Sequence, residues 1–119
     1  MSRQKNVLRE IAAAIESNGA YHIADWFTED FRLHEPTQPD WPGGHPGAGK
    51  MLDKFRTLAR PIKLEILDMV EEGDRVAVRW RLSATHNGEP LHLAMMAIYR
   101  FAGSRIAEDW GIPIRGDWP

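Results

Sequence analysis

Between Val76 and Thr85 the chain alternates with a period of two, placing Val76, Val78, Trp80, Leu82 and Ala84 on one parity and Ala77, Arg79, Arg81, Ser83 and Thr85 on the other. Successive side chains of a strand point to opposite faces, so this block reads as a strand with one apolar and one polar face. Glu72-Gly73-Asp74 before it and Asn87-Gly88 after it supply residues that tolerate positive φ, and Ala102-Gly103-Ser104 marks a third turn. Four consecutive strands joined by tight turns therefore account for roughly residues 62–114. The pattern predicts an antiparallel meander rather than an alternation of helices and strands.

The first third has a different period. Val7, Leu8, Ile11, Ala12 and Ile15 fall at the three-and-four spacing of an amphipathic helix over 4–17, with Asn18-Gly19 as its C-terminal cap. A short second helix is expected over 20–27. Beyond it Phe31, Leu33 and Glu35 alternate with Arg32 and His34 in a brief strand that Pro36 ends. Residues 36–47 contain Pro36, Pro39, Pro42, Pro46, Gly43, Gly44 and Gly47, and so read as an irregular loop ahead of a third helix near 48–59.

At 119 residues and 43% hydrophobic content the chain reads as one domain, 1–119, able to bury a core and too short for a second. The net charge of −2, with Lys and Arg dispersed, gives no footprint for nucleic acid. No apolar run reaches the roughly 18 residues of a membrane span. The start, MSRQKNVLRE, lacks a signal-peptide stretch, so cytoplasm is the expected compartment. Zero cysteines exclude a disulfide scaffold, a thiolate nucleophile and thiolate-held metal. His22, His86 and His92 show no metal-ligand spacing, and no metal or cofactor is expected. Gly44 to Lys50, GHPGAGK, has the spacing of a phosphate-binding loop. The match stops at Met51, where a hydroxyl is needed, and no apolar strand precedes it.

The order of parts and three phrases, FTEDFRLHEP at 27–36, EEGDRVAVRWRLSATHNGE at 71–89 and IYRFAGSRIAEDWGI at 98–112, resemble the SnoaL-like family. This is the polyketide cyclase branch of the nuclear transport factor 2-like superfamily, and the similarity runs from about Val7 to Ile112. The resemblance implies an α+β cone-shaped roll, with a curved antiparallel sheet wrapped around three N-terminal helices and an apolar pocket open at one end. It implies a homodimer formed through the outer sheet face. Pockets of this family serve cyclisation, isomerisation, dehydration, epoxide opening and ligand binding, so the fold alone does not give the reaction.

In the family's cyclases the last strand carries an aspartate directly after its tryptophan, and the neighbouring strand often carries an acid before its aliphatic-aromatic pair. Here those positions are Gly111 and Ala97. Asp109 lies two residues before Gly111 and projects to the same side, either as a pocket carboxylate among Met95, Trp80 and Tyr99 or as a solvated strand residue. His34, in RLHEP, is the second catalytic candidate, since imidazole moves protons near neutrality. Only one of His34 and Glu35 can face the pocket, and His34 is the one expected to. Trp26, Trp41, Trp80, Met95 and Tyr99 are the expected contacts for a small apolar ligand, with Trp41 and His45 as gate residues in the loop. Three readings follow: acid–base rearrangement of a carbonyl or hydroxyl compound by Asp109 and His34, a non-catalytic hydrophobic ligand binder, or a filled structural dimer.

Overall fold

In the computed structural model, which describes residues 2–119, five strands form one curved sheet with helices on its inner side. Helix α1 (Arg3–Ser17) starts where the Ser2 hydroxyl accepts the Lys5 amide at 3.0 Å, one of the orphan donors of a first turn. It ends at Asn18, whose left-handed φ of 56° lets its amide reach the carbonyls of Ala14 and Ile15. The buried stripe is Val7, Leu8, Ile11, Ala12 and Ile15, as the period predicts, and it packs against the long strand β2 (Ala59–Glu72).

Helix α2 is a single turn, Ile23–Trp26, shorter than the 20–27 expected. Phe27 is already extended, at φ −126° and ψ 146°, and opens β1 (Phe27–His34), which is correspondingly longer than the alternation at 31–35 suggests. Helix α3 (Gly44–Asp53) begins four residues before the expected start and passes into a 3-10 turn, Lys54–Thr57. Pro46 is tolerated there because first-turn amides have no helical partner. Gly47 is dictated by contact: a Cβ at that position would lie 1.8 Å from the Pro42 carbonyl oxygen. The GHPGAGK segment is therefore helix packed on its own preceding loop, and α3 rests against β1.

The remaining strands are β3 (Arg75–His86), β4 (Glu89–Ala102) and β5 (Arg105–Arg115), and the sheet order is β1-β5-β4-β3-β2. β2 to β5 pair antiparallel through hairpins, as the turn residues predict, whereas β1 joins the edge parallel to β5. Asn87 (φ 51°) and Gly88 (φ 79°) make the positive-φ pair that matches hairpin twist. Val76, Val78, Trp80 and Leu82 are buried on the inner face, while outside Arg79 pairs with Asp68 and Arg81 with Glu65.

One irregularity positions the chemistry. β4 pairs Arg100 with Glu108 and Phe101 with Ile106, so Ala107 is an extra residue on β5. Such a bulge shifts the in-and-out alternation by one. Beyond it Asp109 and Gly111 face inward, and Glu108 and Trp110 face outward.

Candidate functional site

Between the inner sheet face and the helices lies a cavity of about 410 Å³. Its walls are largely apolar: Leu8, Ile11 and Ile15 from α1, Met51 and Leu52 from α3, and Leu64, Leu82, Leu91 and Leu93 from the sheet. An apolar chamber with a few placed polar groups is the usual form of a small-molecule site. The polar lining comprises Asp109, Tyr99, Glu35, Gln38, Lys54, Thr57, His86 and Arg115.

Asp109 is 6% exposed, and its Oδ1 is buried with no hydrogen-bond partner. Burial disfavours the charged form, so its pKa is pushed up to about 7. Gly111 leaves room for that carboxylate, since a Cβ there would sit 3.0 Å from Asp109 Oδ1 and 3.3 Å from the Ala97 methyl. Gly111 and Ala97 together give up the space that a larger side chain at either position would fill.

Tyr99 stands directly across from Asp109 in the β4–β5 ladder. Its hydroxyl accepts the Trp80 indole N–H at 3.1 Å. Burial first, and then the negative charge of Asp109, hold the phenol well above its ordinary pKa, against the opposing effect of the Trp80 hydrogen bond. It stays protonated throughout the working range of a protein.

Glu35 is buried and lines the same cavity, but its carboxylate is already held by Thr37. The Thr37 hydroxyl donates to it at 2.5 Å and the Thr37 amide at 3.1 Å. These bonds, the hydroxyl above all, hold its pKa below the usual glutamate range despite partial desolvation. Two carboxyls in one chamber are thus driven apart: Glu35 towards the anion, Asp109 towards the neutral acid.

Of the residues expected from sequence, the structure gathers Asp109, Trp41, Trp80, Met95 and Tyr99 around the cavity. Trp41 donates its indole N–H to the Gly47 carbonyl at 3.0 Å, and the ammonium groups of Lys50 and Lys54 lie 4.7 and 4.6 Å from its ring centroid. His34 does not join them. It pairs in register with Trp110 on the outer face, stacks on that ring at 5.1 Å and meets Glu108 at 2.8 Å. Counting inward from Leu33, which is opposite Asp109, gives Glu35 and not His34, so the choice between those two neighbours is corrected here.

Trp26 also lies elsewhere. Its indole N–H donates to Glu10 at 3.2 Å, and it borders a separate surface cleft with Arg3, Asn6 and Arg105. It does not line the cavity that Met95 borders. His45 is tied to the Phe27 carbonyl at 3.0 Å and does not border the cavity. Lys54, Thr57, His86 and Arg115 were not anticipated, because they come from element ends whose direction no periodicity gives. Among the described residues no group of three or more His, Asp or Glu is placed to hold a metal ion.

The model of the SnoaL-like domain matches residues 8–109. Among solved structures, TsrD from Streptomyces laurentii superposes with a TM-score of 0.79 at 16% identity, over 93% of this chain and 87% of that one. A proposed polyketide cyclase from Bacillus cereus gives 0.78 at 25% identity, over 93% and 74%. A protein of ketosteroid isomerase-like fold from Catenulispora acidiphila gives 0.72 at 17% identity, over 89% and 83%. These likenesses establish the fold. No curated protein matches the chain.

Proposed function

Because the chain belongs to the SnoaL-like domain family, we propose that its cavity rearranges a small apolar carbonyl or hydroxyl compound by acid–base proton transfer, with Asp109 moving the proton. The observation that carries this reading is a carboxyl whose pKa is pushed up to about 7 and whose buried oxygen has no partner, in an apolar chamber large enough for a ligand. A group poised near neutrality exists in both forms and can take a proton at one atom and return it at another. Glu35, held by Thr37 and biased towards its anion, is the weaker base and organises the loop at 35–37. The structural relative from Bacillus cereus, described as a proposed polyketide cyclase, supports this reading.

The test is exchange of the α-hydrogens of 1-tetralone for deuterium in heavy water, followed by proton NMR. Wild type should accelerate exchange above buffer, and Asp109→Asn should reduce it by about 10²- to 10⁴-fold, the usual contribution of a positioned acid–base group. Glu35→Gln should matter far less. Gly111 and Ala97, which stand where the family's cyclases carry acids, favour a second reading, a binder that holds its ligand unchanged. Saturable tetralone binding with exchange no faster than buffer would establish that reading instead.

The partner of the outer sheet face is proposed to be a second copy of the chain. Met96 (54% exposed) pairs in register with Ile112 (51%), and Ile98 and Ile114 continue the stripe. A self-complementary apolar patch suits a two-fold interface.

A further inference from the structure

We infer that the open cleft between α1, the single turn α2 and the β4–β5 turn is a second binding site, and that it takes a small extended zwitterion with a carboxylate at one end and an ammonium at the other. The cleft lies outside the cavity, and the inference does not depend on the reaction proposed there.

Helix geometry builds one wall. Arg3, Asn6, Val7 and Glu10 recur at the three-and-four spacing that puts side chains on one face of a helix, and all four line the cleft. Asp25 and Trp26 face them from α2, and Ser104 and Arg105 close the cleft from the β4–β5 turn. The floor is rigid, because Trp26 is 3% exposed and Val7 8%. At one end Arg3 Nη2 reaches the Ser104 hydroxyl at 3.5 Å, beside Arg105. At the other the Trp26 indole N–H donates to Glu10 Oε2 at 3.2 Å, with Asp25 next to Trp26 in the chain.

The charges are therefore sorted, guanidinium groups at one end and carboxylates at the other. Arg79 with Asp68 and Arg81 with Glu65 show that surface charges of this chain pair where they meet. In the cleft they do not meet: among the described residues Arg3, Glu10, Asp25 and Arg105 make no ion pair. Arg3 and Glu10 stand two helical turns apart, about 10 Å along the axis.

That separation selects the ligand. A simple anion meets Arg3 and Arg105 but is repelled by Glu10 and Asp25, and a simple cation meets the reverse. An α-amino acid carries both charges on one carbon and spans too little to serve both ends. After a hydrogen-bond length is allowed at each end, about four carbons between the two charged groups bridge the gap. Val7 offers apolar contact to the middle of such a chain, and the Asn6 amide can pair with a peptide group placed there. An ω-amino acid and a dipeptide share the required chemistry.

The probe is 5-aminovalerate, followed by ¹H–¹⁵N NMR of the tryptophan indole groups. Trp26 reports on the cleft because Glu10 holds its N–H, while Trp41 and Trp80 report on the cavity. The Trp26 signal should shift, and 5-aminovalerate should bind about five-fold more tightly than pentanoate or pentylamine, the value of an exposed ion pair. Asp25→Asn should weaken 5-aminovalerate by about three- to five-fold yet strengthen pentanoate, and Arg105→Gln should weaken it equally yet strengthen pentylamine. Loss of fold cannot produce that crossed pattern, and both side chains are exposed. Diglycine has the same chain length as 5-aminovalerate. Tighter binding of diglycine assigns the site to peptides, and weaker binding assigns it to aliphatic amino acids. Pentanoate binding as tightly as 5-aminovalerate, a shift at Trp41 and Trp80 in place of Trp26, or a Trp26 signal that does not move overturns the proposal.

Discussion

At the scale of single residues, keeping the Asp109 carboxyl away from water is what raises its pKa. A carboxyl whose pKa is higher in the folded than in the unfolded chain binds more protons in the fold between those two values. The contribution of Asp109 to stability should therefore fall as pH rises from about 4, the unfolded value, to about 7 and then level off. Asp109→Asn keeps the shape and removes the titration. It should match wild type near pH 4 and exceed it by on the order of 2–4 kcal/mol at pH 8, as measured by urea unfolding. Equal stability of the two proteins at pH 8 would mean that the carboxyl is solvated. A gain in stability coupled to loss of exchange is the expected signature of a group kept for chemistry rather than for packing.

Among the elements, α3 and the loop before it line the cavity and meet through a contact that a single methyl group tests. Gly47→Ala must push the Pro42 carbonyl, which would lie 1.8 Å from the new Cβ, and should cost on the order of 1–3 kcal/mol while shifting Trp41 fluorescence. Gly49, two residues on, has nothing within 4 Å of its would-be Cβ. Gly49→Ala should raise stability by about 0.5–1 kcal/mol through helix propensity. Thermal melts of the pair decide whether the tight approach at 47 is real, and two stabilising changes would refute it.

Strand β3 and helix α1 are legible from periods of nine or ten residues, and the neighbouring strands from turns that carry Gly or Asn. Asp109 was reached by counting back from Gly111 on the far side of the bulge, so Ala107 did not disturb its parity. His34 and Glu35 were harder: one residue separates opposite faces, and only the pairing of Leu33 with Asp109 settles which of them enters the cavity. Trp26 failed for a different reason, since a helix expected over 20–27 shrinks to one turn and its hydrophobicity says nothing of where it packs. The start of α3 was hidden by proline and glycine, whose use inside a first helical turn depends on the loop they touch.

For the molecule as a whole, an inner chamber and an outer apolar stripe occupy the two faces of one sheet. The stripe of Met96, Ile98, Ile112 and Ile114 predicts a dimer by light scattering, and Ile112→Lys should convert it to monomer with little change in the fold. A monodisperse monomeric wild type would contradict the dimer. No helix is long and apolar enough to cross a membrane. His34 belongs to this outer face with Glu108, Arg100 and Trp110, on the far side of the sheet from the carboxyl that binds the account together.

That carboxyl is also the most direct point of attack. In ¹³C-carboxyl NMR of protein labelled at aspartate, the account predicts one resonance titrating with a midpoint of about 7 that is absent from Asp109→Asn. If every aspartate instead titrates in the ordinary range, below about 5, Asp109 is a solvated strand residue and the acid–base site does not exist.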